Sequence, residues 1–194
     1  YEAGRYEEAR LAAERFLNFY PADRDAAQAQ YIVALSHYDQ MADIGRDQGE
    51  TRKALAALRE TVNRYPDSSY ARSAQLKLDL AEDHLAGKEM EIGRYYLKRN
   101  HPVAAINRFR TVLERYQTTS HTPEALHRLV ESYLMLGIDV EAQRAAAVLG
   151  HNFPGSTWYA ASYDLLAGTD LAPPDKPDGF LSRAYRQVIR GEWL

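Results

Sequence analysis

Apolar residues recur along this chain at steps of three and four. Tyr6, Ala9, Ala13, Phe16 and Tyr20 keep that rhythm, as do Leu55, Leu58, Val62 and Tyr65. Such steps put side chains on one face of a helix, and alternation over strand lengths is absent, so the pattern predicts an almost entirely helical chain. From Tyr70 to Lys98 one helical phase runs through Ala74, Leu78, Ala81, Leu85, Ile92 and Tyr96. This predicts a single helix over about 70–98, with Gly87 and Gly93 as the places where it would bend; at about 1.5 Å per residue it would run roughly 40 Å. A short helix is expected from Ser156 to Leu166. After Gly168 the stretch Ala172-Pro173-Pro174-Asp175-Lys176-Pro177 reads as a linker, and Phe180 to Leu194 is expected to form an amphipathic helix with Leu181, Tyr185, Val188 and Ile189 on one face.

A repeat emerges when the aromatic-proline pairs are aligned. Pro21, Pro66 and Pro154 each lie twelve residues after an alanine, Ala9, Ala54 and Ala142, and Gly4, Gly49 and Gly137 each lie five before it. A fourth copy keeps the frame with Asn100, Ala105 and Gln117. The residue before the closing position is aromatic every time: Tyr20, Tyr65, Tyr116 and Phe153. The Gly or Asn is expected in the left-handed conformation that these residues adopt cheaply, ending a first helix. The small alanine lets the second helix pack closely, the closing proline stops it, and the terminal aromatic is expected to plug the gap between hairpins. This is similar to the tetratricopeptide repeat, a stack of helical hairpins forming an α-solenoid with a concave face. The closing positions are spaced 45, 51 and 37 residues apart, against a usual period of about 34. The excess is assigned to an enlarged loop over 42–49 and to the long helix. Residues 1–168 therefore read as the repeat solenoid, with its first repeat truncated to a second helix, and 169–194 as the Pro-rich linker and C-terminal helix. The opening Tyr1-Glu2-Ala3-Gly4 reads as the middle of an element, so a natural N-terminus is expected upstream.

Composition supports this picture and narrows the chemistry. The 29 alanines favour helix. With 24 Lys plus Arg against 27 Asp plus Glu, the formal charge is −3 and no like-charge block stands out. Nucleic acid is thus not an expected partner, since phosphate contacts need a concentrated basic face. Zero cysteines exclude disulfides, Cys-ligated zinc, iron–sulfur clusters and thiol catalysis within these residues. No apolar run reaches the roughly 20 residues that cross a bilayer.

No catalytic constellation is legible, and no cofactor is expected. His121, Glu124 and His127 are spaced by three, unlike the one-face i, i+4 histidine pair of a zinc protease, and read as solvated or capping residues. Serines and aspartates gather at helix starts, as in Asp67-Ser68-Ser69 and Pro154-Gly155-Ser156-Thr157, where capping accounts for them. The fourteen tyrosines divide by position. Tyr20, Tyr65 and Tyr116 are expected in packing. Tyr31, Tyr38 and Tyr70 lie on or near first helices, where tyrosine offers contact area at low entropic cost. With Arg46 and Asp47 at the tip of the enlarged loop, they form the candidate peptide-binding set; a local ion pair is the competing explanation for the last two.

From about Gln30 to Leu166 the chain resembles the BamD family, the outer-membrane lipoprotein of the β-barrel assembly machinery. The resemblance is carried by Asp83-His84-Leu85-Ala86-Gly87-Lys88-Glu89-Met90-Glu91-Ile92-Gly93-Arg94-Tyr95-Tyr96, then Ala104-Ala105-Ile106-Asn107-Arg108-Phe109 and Glu124-Ala125-Leu126-His127-Arg128-Leu129. It implies a non-enzymatic periplasmic scaffold held at the outer membrane by an N-terminal lipid that these residues do not include. The partners it implies are the POTRA domains of the barrel-forming subunit, other assembly lipoproteins, and unfolded outer-membrane proteins whose C-terminal signals the N-terminal half receives. The family's Asn-Arg pair carries the partner-facing role onto Arg108. Arg115 lies beyond it on the same helix, and Gln117 and His121, in the loop that follows, complete the candidate docking set. The competing reading is another periplasmic repeat adaptor, coordinating cell-wall synthesis with envelope constriction.

Overall fold

A computed structural model describes residues 1–167; the expected linker and helix over 169–194 lie outside them. Eight helices account for the described chain: α1 Tyr6–Phe19, α2 Ala26–Tyr38, α3 Gly49–Arg64, α4 Ser69–Lys98, α5 Pro102–Arg115, α6 Thr122–Met135, α7 Asp139–Asn152 and α8 Thr157–Ala167. No strand occurs among the described residues. The described chain divides into two compact units, the first Tyr1–Leu85 and the second beginning at Ala86. In the first, α2 packs between α1 and α3; in the second, α6 packs against α5, α7 and α8. These are hairpins of the tetratricopeptide kind.

The repeat has a common backbone geometry at its closing positions. Tyr20, Tyr65, Tyr116 and Phe153 each follow the last residue of a helix with φ between −131° and −136°, and each donates its N–H to a carbonyl four residues earlier. That non-helical residue turns the chain out of the helix before proline, or Gln117, would have to continue it. Three hairpin turns are also alike: Gly4, Asn100 and Gly137 have φ of 73°, 61° and 68°, and the next helix begins two residues later in each case.

Gly49 corrects the expected frame. It is the first residue of α3 and is not left-handed, because the 39–48 loop makes the turn by other means. Gln48, only 4% exposed, donates its amide N–H groups to the carbonyls of Asp43 and Arg46 at 2.9 and 3.0 Å and accepts the Thr51 hydroxyl at 2.8 Å. His84 Nε2 donates to the Ala42 carbonyl at 2.9 Å, tying the loop to α4. A second correction concerns Tyr20, which is 58% exposed; Tyr116 and Phe153, by contrast, pack on the core of the second unit.

The repeat alanines Ala54, Ala105 and Ala142 are fully buried. Around them the first unit closes a core of Ala34, Leu58, Ala74 and Leu78. The second is larger, centred on Met90, Phe109, Leu126, Leu129 and Leu149. In the second unit α4 buries Ala86, Met90 and Gly93, while Ile92 and Tyr96 of the expected stripe are only half-buried. The face shifts because Phe109 seats against Gly93, where only a glycine leaves room.

Candidate functional site

Two of the three candidate tyrosines of the first unit meet. The Tyr31 and Tyr70 rings lie 5.7 Å apart, tilted by 42°, an arrangement suited to ring quadrupoles. Tyr38 sits beneath Lys77, whose Nζ lies 4.5 Å from the ring centroid. Burial raises the phenol pKa of both Tyr31 and Tyr38; Asp39 adds to it, and a hydrogen bond with Ser73 opposes it at Tyr31. Both hydroxyls therefore stay protonated at neutral pH. Tyr31 and Tyr38 also pack on the core, so they carry a packing role together with half-buried ring surface.

Arg46 and Asp47 engage their own loop. Asp47 accepts the Gly49 N–H at 2.8 Å, a local side-chain turn just ahead of α3, and its carboxylate lies 3.8 Å from Arg52. The local ion pair is thus with Arg52, and the Arg46 side chain is exposed.

On α5, Arg108 pairs with Glu89 of α4 at 3.2 Å and keeps 41% of its side chain exposed. Next to it Phe109, and one turn on Val112, are fully buried, whereas Arg115 is exposed, as is Gln117. His121 precedes α6 and is half-buried.

Sequence reasoning missed a buried polar cluster centred on His127. Far from being solvated, His127 is 4% exposed. Its Nδ1 lies 2.8 Å from Ser162 Oγ of α8, its Nε2 lies 3.6 Å from Glu131, and its ring packs 5.1 Å from Trp158. With Nε2–H directed at the carboxylate, Nδ1 accepts the Ser162 hydroxyl. Burial raises the Glu131 pKa, but hydrogen bonds from His127 and Arg128 outweigh it and hold the carboxyl below the ordinary range. This serine–histidine–glutamate order resembles a nucleophilic triad, yet Ser162 is fully buried and its hydroxyl reaches no substrate. The cluster fastens α8 to α6. Only the four-residue spacing of His127 and Glu131 on α6 could have hinted at it, because the other half of the cluster comes from α8. Among the described residues, no group of His, Asp and Glu could hold a metal ion.

Beside this cluster a groove of about 590 Å³ opens between the end of α4, α6 and α8, with Leu97, Leu134, Met135 and Leu165 on its floor and Arg94 and Lys98 on its rim. A smaller hollow of about 410 Å³ lies between α1 and α2, lined by Ala9, Ala12, Phe16 and Ile32 among others. No helix among the described residues is long and apolar enough to cross a membrane.

Comparison with known proteins gives a consistent result. Residues 1–149 match the family YfiO, described as outer membrane lipoprotein. The chain is 52% identical over 177 residues to the outer membrane protein assembly factor BamD of Caulobacter vibrioides, covering 91% of this chain and 58% of that one. It is 48% identical over 164 residues to the protein of the same name in Rickettsia prowazekii, covering 84% and 65%. The Neisseria meningitidis serogroup A protein of that name is 32% identical over 166 residues, covering 80% and 62%. The chain therefore spans about 58 to 65% of the length of these relatives.

Proposed function

The chain belongs to the BamD family of outer membrane lipoproteins, and on that premise we propose that it is a non-enzymatic scaffold supporting the folding and insertion of outer-membrane proteins. The observation that carries this reading is the 52% identity, over 91% of the chain, to a protein named as an assembly factor.

Each unit has a role in the proposal. The first receives the C-terminal signal of an unfolded outer-membrane protein on Tyr31, Tyr38 and Tyr70, with Arg46 and Asp47 at the loop. Support comes from the paired rings of Tyr31 and Tyr70 and from phenols that remain donors at neutral pH. A terminal aromatic would stack on the rings while its carboxylate accepts hydrogen bonds. The second unit docks on the POTRA region of the barrel-forming subunit through Arg108, with Arg115, Gln117 and His121 beside it. Arg108 suits this because its planar fork holds a carboxylate by two bonds, and its 41% exposure leaves the fork reachable. The full-length protein works on the periplasmic side of the outer membrane, lipid-anchored, among other assembly lipoproteins.

The test is a pull-down from envelope extract with the lipidated full-length protein as bait. The barrel-forming assembly subunit is the expected prey. Recovery of cell-wall synthesis proteins without that subunit would overturn the reading.

A further inference from the structure

Helix α1 carries an apolar stripe on its outer face that the repeat does not require. Leu11 is 51% exposed and Phe19 72%, and two helical turns apart they lie on one side of the helix. Counted back from the closing aromatic, the place of Leu11 is taken by Ala56, Asn107 and Arg144 in the other three copies, and that of Phe19 by Arg64, Arg115 and Asn152. Helix α5 is packed by α4 through Gly93 and by α6, yet it keeps Asn107 and Arg115 exposed. Both positions therefore face outward even in a fully packed repeat, and of the four copies only α1 fills them with large apolar side chains.

Phe19 does not stand alone. Its ring lies 6.4 Å from that of Tyr20, which is itself 58% exposed and 5.4 Å from the ring of Phe16. Arg15, between Leu11 and Phe19 on the same face, is exposed and has no ion-pair partner among the described residues. The charges around it largely cancel: Arg5 pairs with Glu8 at 3.0 Å, Arg24 with Asp25 at 3.7 Å, and Arg10 with Glu7 and Glu14 at 2.6 Å each. Apolar surface, more than net charge, decides what this face can bind. It encloses nothing, since the hollow between α1 and α2 is lined by Phe16 but not by Leu11, Arg15 or Phe19. A convex stripe without a groove gives an extended peptide nothing to lie in, whereas a bilayer interface takes protruding aromatic rings at the level of its headgroups.

We propose that the outer face of α1 rests on a phospholipid surface, with Leu11, Phe19 and Tyr20 in the headgroup region and the Arg15 guanidinium on a lipid phosphate. The choice of lipid as the occupant rests on the reading of the full-length protein as lipid-anchored at the outer membrane, which sets a bilayer beside the chain. The helix lies on that surface and does not span it. Such binding grows with the apolar area buried in the interface and is reinforced by a covalent lipid, two weak signals acting together. Arginine suits the central position because its planar fork can hold two phosphate oxygens. The stripe adds what a lipid chain alone lacks, a fixed face of the first unit turned toward the membrane.

The experiment uses the whole chain and vesicles of phosphatidylethanolamine and phosphatidylglycerol. Because the sequence has no cysteine, Asn18→Cys places a single nitrobenzoxadiazole label beside Phe19, and Asn107→Cys places one on α5 as the control. Vesicles should shift the emission of the first label to the blue and leave the second unchanged, and brominated lipid should quench the first alone. In flotation assays Phe19→Glu should weaken partition of the chain about tenfold, with helicity by circular dichroism unchanged, and Leu11→Glu should act in the same direction. Added salt should change partition little, because the local charges cancel. The proposal is overturned if the label at position 18 does not respond to vesicles, if Phe19→Glu and Leu11→Glu both partition as the wild type does, if salt abolishes the binding, or if the stripe instead pairs two copies of the chain, seen as a dimer in analytical ultracentrifugation that Phe19→Glu dissolves. Vesicles contain no protein partner, so a negative result here leaves the scaffold reading to its own pull-down test.

Discussion

The ring of Phe109 on α5 lies directly over the backbone of Gly93 on α4: a Cβ on that glycine would fall 2.3 Å from Phe109 Cε1. The pair fixes how closely these helices approach, because Phe109 is fully buried and has nowhere to retreat.

Gly93→Ala sets two effects against each other. Replacing a mid-helix glycine with alanine gains up to about 1 kcal/mol of helix propensity, while overpacking a closed core costs about 1 to 3 kcal/mol. The clash should win, leaving the variant about 1 to 2 kcal/mol less stable in urea unfolding. Gly150→Ala meets Tyr159 at 2.5 Å, but that ring is only half-buried and can swing outward. It should cost less than Gly93→Ala, and the reverse order would contradict the assignment of Phe109 as the immovable partner.

The three left-handed turns separate from the fourth by mutation. At Gly137 and Asn100, φ of 68° and 61° is costly for a residue with a Cβ, so Gly137→Ala should lose about 1 kcal/mol and Asn100→Gly should be neutral or slightly stabilising. Gly49→Ala carries no such strain. Its Cβ would meet only the exposed end of Asp47, at 2.7 Å, which can rotate aside. Thermal unfolding should therefore show Gly137→Ala well below Gly49→Ala.

Much of this architecture was legible because the repeat writes itself in local chemistry. The aromatic closing residues, the small alanines and the left-handed Asn100 and Gly137 all answer to backbone rules acting within one hairpin. Gly49 was misjudged because spacing alone cannot distinguish a left-handed glycine from one that starts a helix; the difference is made by Gln48 and Asp47, neither of which marks a turn by itself. His127 was misjudged for another reason. Its burial depends on Ser162 and Trp158, more than thirty residues further on, and no local periodicity connects them. Tyr31 and Tyr70 were singled out by their positions on first helices, but their contact is a tertiary fact.

Acid should weaken the α6–α8 junction. Glu131 titrates below the ordinary carboxylate range in the folded chain, the hydrogen bonds from His127 and Arg128 outweighing the effect of burial. The unfolded chain then binds more protons in this window, so stability rises with pH. The contribution is complete above about pH 4.5, near the unfolded glutamate value, and is lost as pH falls through the lower folded value. Urea unfolding from pH 6 downward should show this loss, and Glu131→Gln should flatten the acid slope. An unchanged slope in that variant would mean that other carboxylates dominate.

Docking through Arg108 requires separating its two possible duties. Within the chain it pairs with Glu89 at 3.2 Å with 41% of its side chain exposed, and an ion pair so open to solvent contributes under about 1 kcal/mol to folding. Arg108→Glu should therefore leave the helices intact and lower stability only slightly. Its effect on binding the periplasmic region of the barrel-forming subunit should be much larger, at least tenfold in Kd, or about 1.4 kcal/mol, if the arginine meets a carboxylate there. The double variant Glu89→Arg with Arg108→Glu restores an internal ion pair with its ends exchanged. It should recover the lost stability without recovering binding, because the partner would still face the wrong charge at position 108. If the exchange restored binding along with stability, Arg108 would be a structural residue of the α4–α5 contact. The docking surface would then have to be sought at Arg115 and along the loop from Gln117 to Thr122.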